Sequence, residues 1–147
     1  MAYPEPVAGL VIRYAYLWRR EYLEGQDEGV KDRPCAIILA RQIVDGETQV
    51  IVLPVTHEPP HDLQDAIEIP PDTKKRLGLD TDISWIVITE ANSFAWPGPD
   101  LRPKQIGGDA TDIAYGLLPE NFFRSVRDKF LAHPSAEKPK LVSRDPS

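Results

Sequence analysis

Asp45-Gly46 sits between two apolar runs, PCAIILARQIV (34–44) and ETQVIVLPV (47–55). Asp-Gly in that setting marks a hairpin, because a tight primed turn needs positive φ at its central residues. Pairing Val44 with Glu47 across a two-residue turn sets Cys35 opposite Thr56 and Pro34 opposite His57. Paired residues share a sheet face, as do residues two apart along a strand. The register therefore predicts Arg33 and Thr56 as diagonal neighbours at one end of the hairpin. A single bulge would shift it by one residue.

Proline makes up 15 of the 147 residues, about twice ordinary usage. That disfavours long helices and favours short strands with stiff connections. Leu10 to Arg19 alternates with period two and reads as a strand. Glu21 to Asp32 is polar, with Gly25 and Gly29, and reads as a long loop. Ala66 to Ile69 and Trp85 to Thr89 read as further strands. Pro71 to Leu77 reads as a short helix with Gly78 past its end. Residues 92–108 are rich in Pro and Gly and read as irregular. A closing helix begins at Pro119, carries Phe122, Val126 and Phe130 on one stripe, and ends near His133-Pro134. The expected fold is mainly β (α+β): a small antiparallel barrel with a short middle helix and a C-terminal helix. Residues 1–8 read as an irregular lead, 9–133 as a single domain, and 134–147 as a flexible polar tail.

The formal net charge of −6 gives no support to a non-specific nucleic-acid binder, though a local basic site remains compatible with it. The single cysteine, Cys35, excludes an internal disulfide and a multi-cysteine zinc site. It reads as a small core residue. No apolar run is long enough to span a bilayer, and the N-terminus does not resemble a secretory signal. The expectation is a cytoplasmic protein with no membrane partner. There is no phosphate-binding Gly-rich loop and no Ser in a nucleophile elbow. His57 and His61 have helical spacing for a metal pair, but Pro59 and Pro60 between them forbid a helix. No metal or other cofactor is expected.

What remains is the hairpin end: Arg33, Thr56 and His57, with Glu28 in the preceding loop. An Arg grips phosphate through its planar fork of donors. A Thr hydroxyl donates to a developing oxyanion. A carboxylate or a His exchanges protons. Together these suit attack on a phosphodiester, although Arg-Pro is also an ordinary solvated strand end and Thr an ordinary strand residue. Arg20 and Lys31 are the nearby cations for substrate. Asn92, with Phe94 and Trp96 beside it, offers polar and stacking contacts to bases, or those aromatics belong to the core or to a dimer interface.

GLVIRYAYL, the polar loop, Arg33-Pro34 leading into CAIIL, and VIVLPVTH, taken in this order, resemble the MazF/PemK toxin family. SWIVITEANSF and the closing YGLLP and its helix fit the same pattern, so the resemblance covers roughly residues 9–132. It implies an SH3-like barrel, usually a symmetric dimer, that cleaves single-stranded RNA without a metal and is covered by a cognate antitoxin. The family's catalytic Arg corresponds to Arg33, its Thr to Thr56, and an acidic loop residue to Glu28. The sequence departs from the family at Leu10, where Asp is common, at His57, where Ser is common, and in a longer segment at 95–116. Arg is a poor proton acceptor, so Arg33 is assigned to phosphate and transition-state charge. Glu28 or His57 then takes the proton from the ribose 2′-hydroxyl, giving a 2′,3′-cyclic phosphate and a 5′-hydroxyl. The alternatives on the same barrel are a non-catalytic binding module and a toxin that poisons a topoisomerase.

Overall fold

The computed structural model describes residues 2–26, 29, 31–43, 45–133 and 140–145. The strands are β1 (Leu10–Tyr14), β2 (Arg33–Gln42), β3 (Thr48–Thr56), β4 (Ala66–Glu68), β5 (Trp85–Val87), β6 (Glu90–Ala95), β7 (Ala114–Leu117) and β8 (Lys140–Ser143). The helices are α1 (Arg19–Leu23), α2 (Pro71–Leu77) and α3 (Glu120–Ala132). The fold is mainly β, with the expected middle and C-terminal helices.

The hairpin is formed by β2 and β3, with two differences from the expected register. Ile43 N donates to Glu47 O and Gly46 N to Ile43 O, so three residues, 44–46, connect the strands instead of two. Gly46 has φ of 79°, as the closing residue of a three-residue hairpin loop requires. Val44, expected to face Glu47, lies outside the described residues. A bulge between Ile37 and Leu39 then shifts the ladder again, so that Cys35 faces Pro54 and Ala36 faces Leu53. Two shifts of one residue restore the original side-chain parity. Continued past Cys35, the offset sets Arg33 directly across from Thr56, one step from the diagonal that was expected.

β3 organises the sheet. One edge pairs with β2; the other pairs with β6 over Gln49–Val52 and with β5 over Val55–Thr56. β1 lies between β2 and β7. The first three strands are buried on both faces. Val11, Ala36, Ile38, Leu53 and Val55 point into one core, whereas Ile12, Tyr14, Cys35, Ile37, Val50 and Val52 point into the other. Burial on both sides explains why CAIIL and VIVLPV read as continuous apolar runs instead of alternating ones.

The sheet does not close into the expected barrel. β4 and β7, at its two ends, are not paired with each other, because helices occupy the opening. α2 packs against β7. Val126 of α3 is fully buried with Leu77, and Phe122, Phe123 and Phe130 pack beside them. Lys129 Nζ donates to the carbonyls of Leu63 and Ala66, tying α3 to the start of β4.

Three further expectations are corrected. The first strand stops at Tyr14, and part of the supposed loop is α1, whose first turn is held by Trp18 N donating to Glu21 Oε1 at 3.1 Å. Residues 92–95 are strand, not irregular, and Phe94 is a core residue stacked on Tyr14 at 4.7 Å. The tail is not uniformly free. Its residues 140–143 form β8, parallel to β6, and cover that strand's edge.

Arg144, just after β8, enters the core as a buried cation. It pairs with Asp100 at 3.1 Å and donates to Ala15 O at 2.8 Å and Asn92 Oδ1 at 3.1 Å. Its guanidinium also lies over the Tyr14 ring. Breaking a buried, hydrogen-bonded pair from one side typically costs about 3–5 kcal/mol, because the other charge stays buried. Arg144→Ala should therefore lower the unfolding free energy by about that amount in chemical denaturation. A loss near zero would mean that β8 is not docked in solution.

Candidate functional site

Arg33 opens β2 and Thr56 closes β3, so the offset of the β2–β3 ladder brings both to one end of the sheet. Both are half-buried and line a cleft of about 630 Å³. Arg33 Nη1 donates to Val55 O, and its guanidinium stacks 5.0 Å from the Trp18 ring centre. Its Nε is buried and makes no hydrogen bond among the described residues. Thr56 Oγ1 accepts from Glu58 N. The hydroxyl proton is thereby left to donate into the cleft.

The wall contributes residues the sequence had not marked. Arg13 is the one charged residue of β1, an interruption of LVIRY that could have been read as a functional position. It lines the cleft with Lys31, Lys104 and Tyr115. The carboxylate of Asp32 lies 4.0 Å from Arg13 and 3.7 Å from Arg102. Burial raises the Tyr115 pKa, and the neighbouring Arg13 partly offsets this. Lys31 and Arg33 have no carboxylate partner among the described residues.

His57 Nε2 lies 2.8 Å from Asp80 Oδ2, and Asp80 Oδ1 accepts from Lys74 Nζ at 2.6 Å. Lys74 is buried and also donates to Ser84 Oγ and Asp82 O. Burial alone would raise the Asp80 pKa. The hydrogen bond from Lys74 and the neighbouring His57 and Lys74 charges outweigh it and hold the carboxyl below its ordinary value. An ionised carboxylate only accepts, so His57 Nε2 donates to it, and in the neutral ring Nδ1 is then the acceptor. Nothing local in the sequence signals this contact, since Asp80 sits on the loop after α2.

His57, Asp80 and Asp82 also form a trio whose ligand atoms lie within 4.8 Å of one another. The Lys74 ammonium already engages Asp80 Oδ1 and Asp82 O, which opposes a second cation there. His61 lines a different cavity and is not part of this trio.

Of the other expected site residues, Lys31 lines the cleft, whereas Arg20 lies on the far side of Arg33, over Trp18 at 5.7 Å. Asn92 does not reach substrate. It is fully buried, accepts from Leu17 N at 2.9 Å and donates to Leu17 O at 2.8 Å. A strand amide with no partner would be costly to bury, and this one replaces a missing backbone pair. Glu28 lies outside the described residues. Cys35 is fully buried, and burial pushes its thiol far above the ordinary range, which suits a core role.

No family model, curated protein or solved structure matches the chain. No helix among the described residues is long and apolar enough to cross a membrane.

The Asp80 arrangement has a pH signature. A carboxyl held below its ordinary value stabilises the fold fully above about pH 4, the unfolded value, and loses that contribution as pH falls through the lower folded value. Asp80→Asn should lower Tm at pH 7, and the gap from wild type should narrow as pH falls below about 4. A Tm gap that stays constant down to pH 2 would contradict the pairing.

Proposed function

We propose that this protein is an endoribonuclease that cleaves single-stranded RNA without a metal, leaving a 2′,3′-cyclic phosphate and a 5′-hydroxyl. The observation that carries this reading is a single cleft lined by Arg33, Thr56 and an Asp80-held His57, with Lys31 free to meet phosphate. Arg33 grips the scissile phosphate through its donor fork, and its buried Nε gains an acceptor. His57 Nδ1 takes the 2′-hydroxyl proton as O2′ attacks phosphorus. Thr56 Oγ1 donates to the phosphoryl oxygen on which charge builds. The bond from phosphorus to O5′ breaks, and O5′ takes a proton from solvent. Only RNA offers the attacking hydroxyl.

The MazF/PemK resemblance supports the same chemistry. It adds a homodimer, a cytoplasmic setting and a cognate antitoxin that covers the cleft. Because the chain is acidic, RNA binding relies on the local cations at the cleft and should weaken as salt rises.

The test is cleavage of mixed-sequence RNA by pure protein in chelator. Removing one preorganised oxyanion donor typically costs about 10²–10³ in rate, so Thr56→Ala should lose that much while remaining folded. Arg33→Ala should lose at least as much, and Arg33→Lys should recover little of it. His57→Ala should abolish the acidic limb of the pH–rate profile. Intact RNA at high protein excess would sink the nuclease reading and leave the binding-module and topoisomerase-poison alternatives. Cleavage only with added divalent ion would shift the chemistry to the His57, Asp80 and Asp82 trio.

A further inference from the structure

On the other side of Arg33, away from His57, lies a cavity of about 310 Å³ lined by Tyr16, Trp18, Arg20, Glu21, Lys31 and Arg33. An adjoining one of about 280 Å³ shares Trp18, Arg20 and Arg33 and adds Thr56 and Glu58. Arg33 lines both of these and the main cleft, so all three voids border its side chain.

Trp18 is the fixed point of the two smaller cavities. Its backbone N–H is held by Glu21 Oε1, and the preceding Leu17 is clamped at N and O by the buried Asn92 amide. Its ring meets Tyr16 edge-on, with centroids 5.1 Å apart at 72°. The indole is thus held in place before any ligand arrives, which limits the ordering cost of binding. Arg20, Lys31 and Arg33 surround it, and none has a carboxylate partner among the described residues. Glu21 is the one carboxylate in this wall, and it is engaged by the Trp18 N–H. In a chain of net charge −6, three cations outnumbering one carboxylate around a rigid aromatic ring fit a ligand that is both planar and anionic.

We propose that this cavity is a nucleobase subsite. The base adjacent to the phosphate held by Arg33 stacks on Trp18, and Arg20 and Lys31 meet the flanking phosphates. The inference rests on the RNA-cleavage reading for its choice of ligand and adds a residue that governs which nucleotide is held beside the cut. Stacking on an indole is open to every base and is strengthened by neighbouring guanidinium planes.

The experiment measures binding of a short single-stranded 2′-O-methyl RNA, which cannot be cleaved, to the intact protein. One abasic position is scanned along the oligonucleotide. Trp18→Ala should weaken binding about ten- to a hundredfold, and Trp18→Phe should weaken it much less. One abasic position should cost wild type the same factor and cost Trp18→Ala nothing further, the mark of a direct pair. Arg20→Ala, an exposed change that leaves Trp18 in place, should weaken binding and lower the salt slope by about one. Equal affinity of Trp18→Ala and wild type would overturn the subsite, as would abasic losses that are the same in both proteins, or no binding by wild type. Cleavage of ordinary RNA is assayed in parallel. Arg33-dependent cleavage that is indifferent to Trp18 removes the subsite and leaves the nuclease. Trp18-dependent binding with no cleavage removes the nuclease and leaves the subsite.

Discussion

The offset between β2 and β3 is the constraint on which the rest of the molecule depends. Among the described residues β3 alone pairs with three other strands, so its alignment decides which side chains enter each core. A slip of one residue would exchange Val50 and Val52 with Ile51 and Leu53, and every apolar contact on both faces would change. The three-residue turn and the bulge fix this alignment. Together they set Arg33 and Thr56 at the same end of the ladder, both lining one cleft.

Support for the site comes from polar groups that are buried and satisfied. Asn92 holds the Tyr16–Trp18 segment beside Arg33, and Arg144 fastens Asn92, Ala15 and Asp100 from the far side. Lys74 fastens Asp80, which in turn orients His57. Gly29 belongs to the same framework, because a Cβ there would overlap the Tyr16 carbonyl. Any larger residue would force Gly29 away from the Ala15–Tyr16 backbone. Buried polar networks of this kind are costly when incomplete and specific when complete.

Much of this was legible in the sequence where the signal is local. Asp45-Gly46 gave the hairpin, Pro71 and Gly78 bounded α2, and Phe122, Val126 and Phe130 marked the buried side of α3. The bulge was not legible, because it follows from packing β2 between two cores and not from any residue in it. β8 was hidden for another reason. Its segment is short and mostly polar, and it docks through one buried apolar side chain, Val142, and through Arg144 filling a buried polar site. Asn92 was misread because an amide that replaces a backbone pair looks, in sequence, like one that faces a ligand. The Asp80–His57 contact joins two loops and has no spacing rule. Barrel closure failed as an expectation because the helices take the space between β4 and β7.

The central claim is that Arg33, Thr56 and His57 act on the phosphodiester through the neighbouring 2′-hydroxyl. A synthetic RNA containing one cleavage site, with a single 2′-deoxy sugar on the 5′ side of the scissile phosphate, tests it most directly. The account predicts that the ribose form is cut in chelator to a 2′,3′-cyclic phosphate, and that the single deoxy substitution stops cleavage there. Cleavage of the deoxy form at the same bond would contradict it, because the nucleophile would then have to be water.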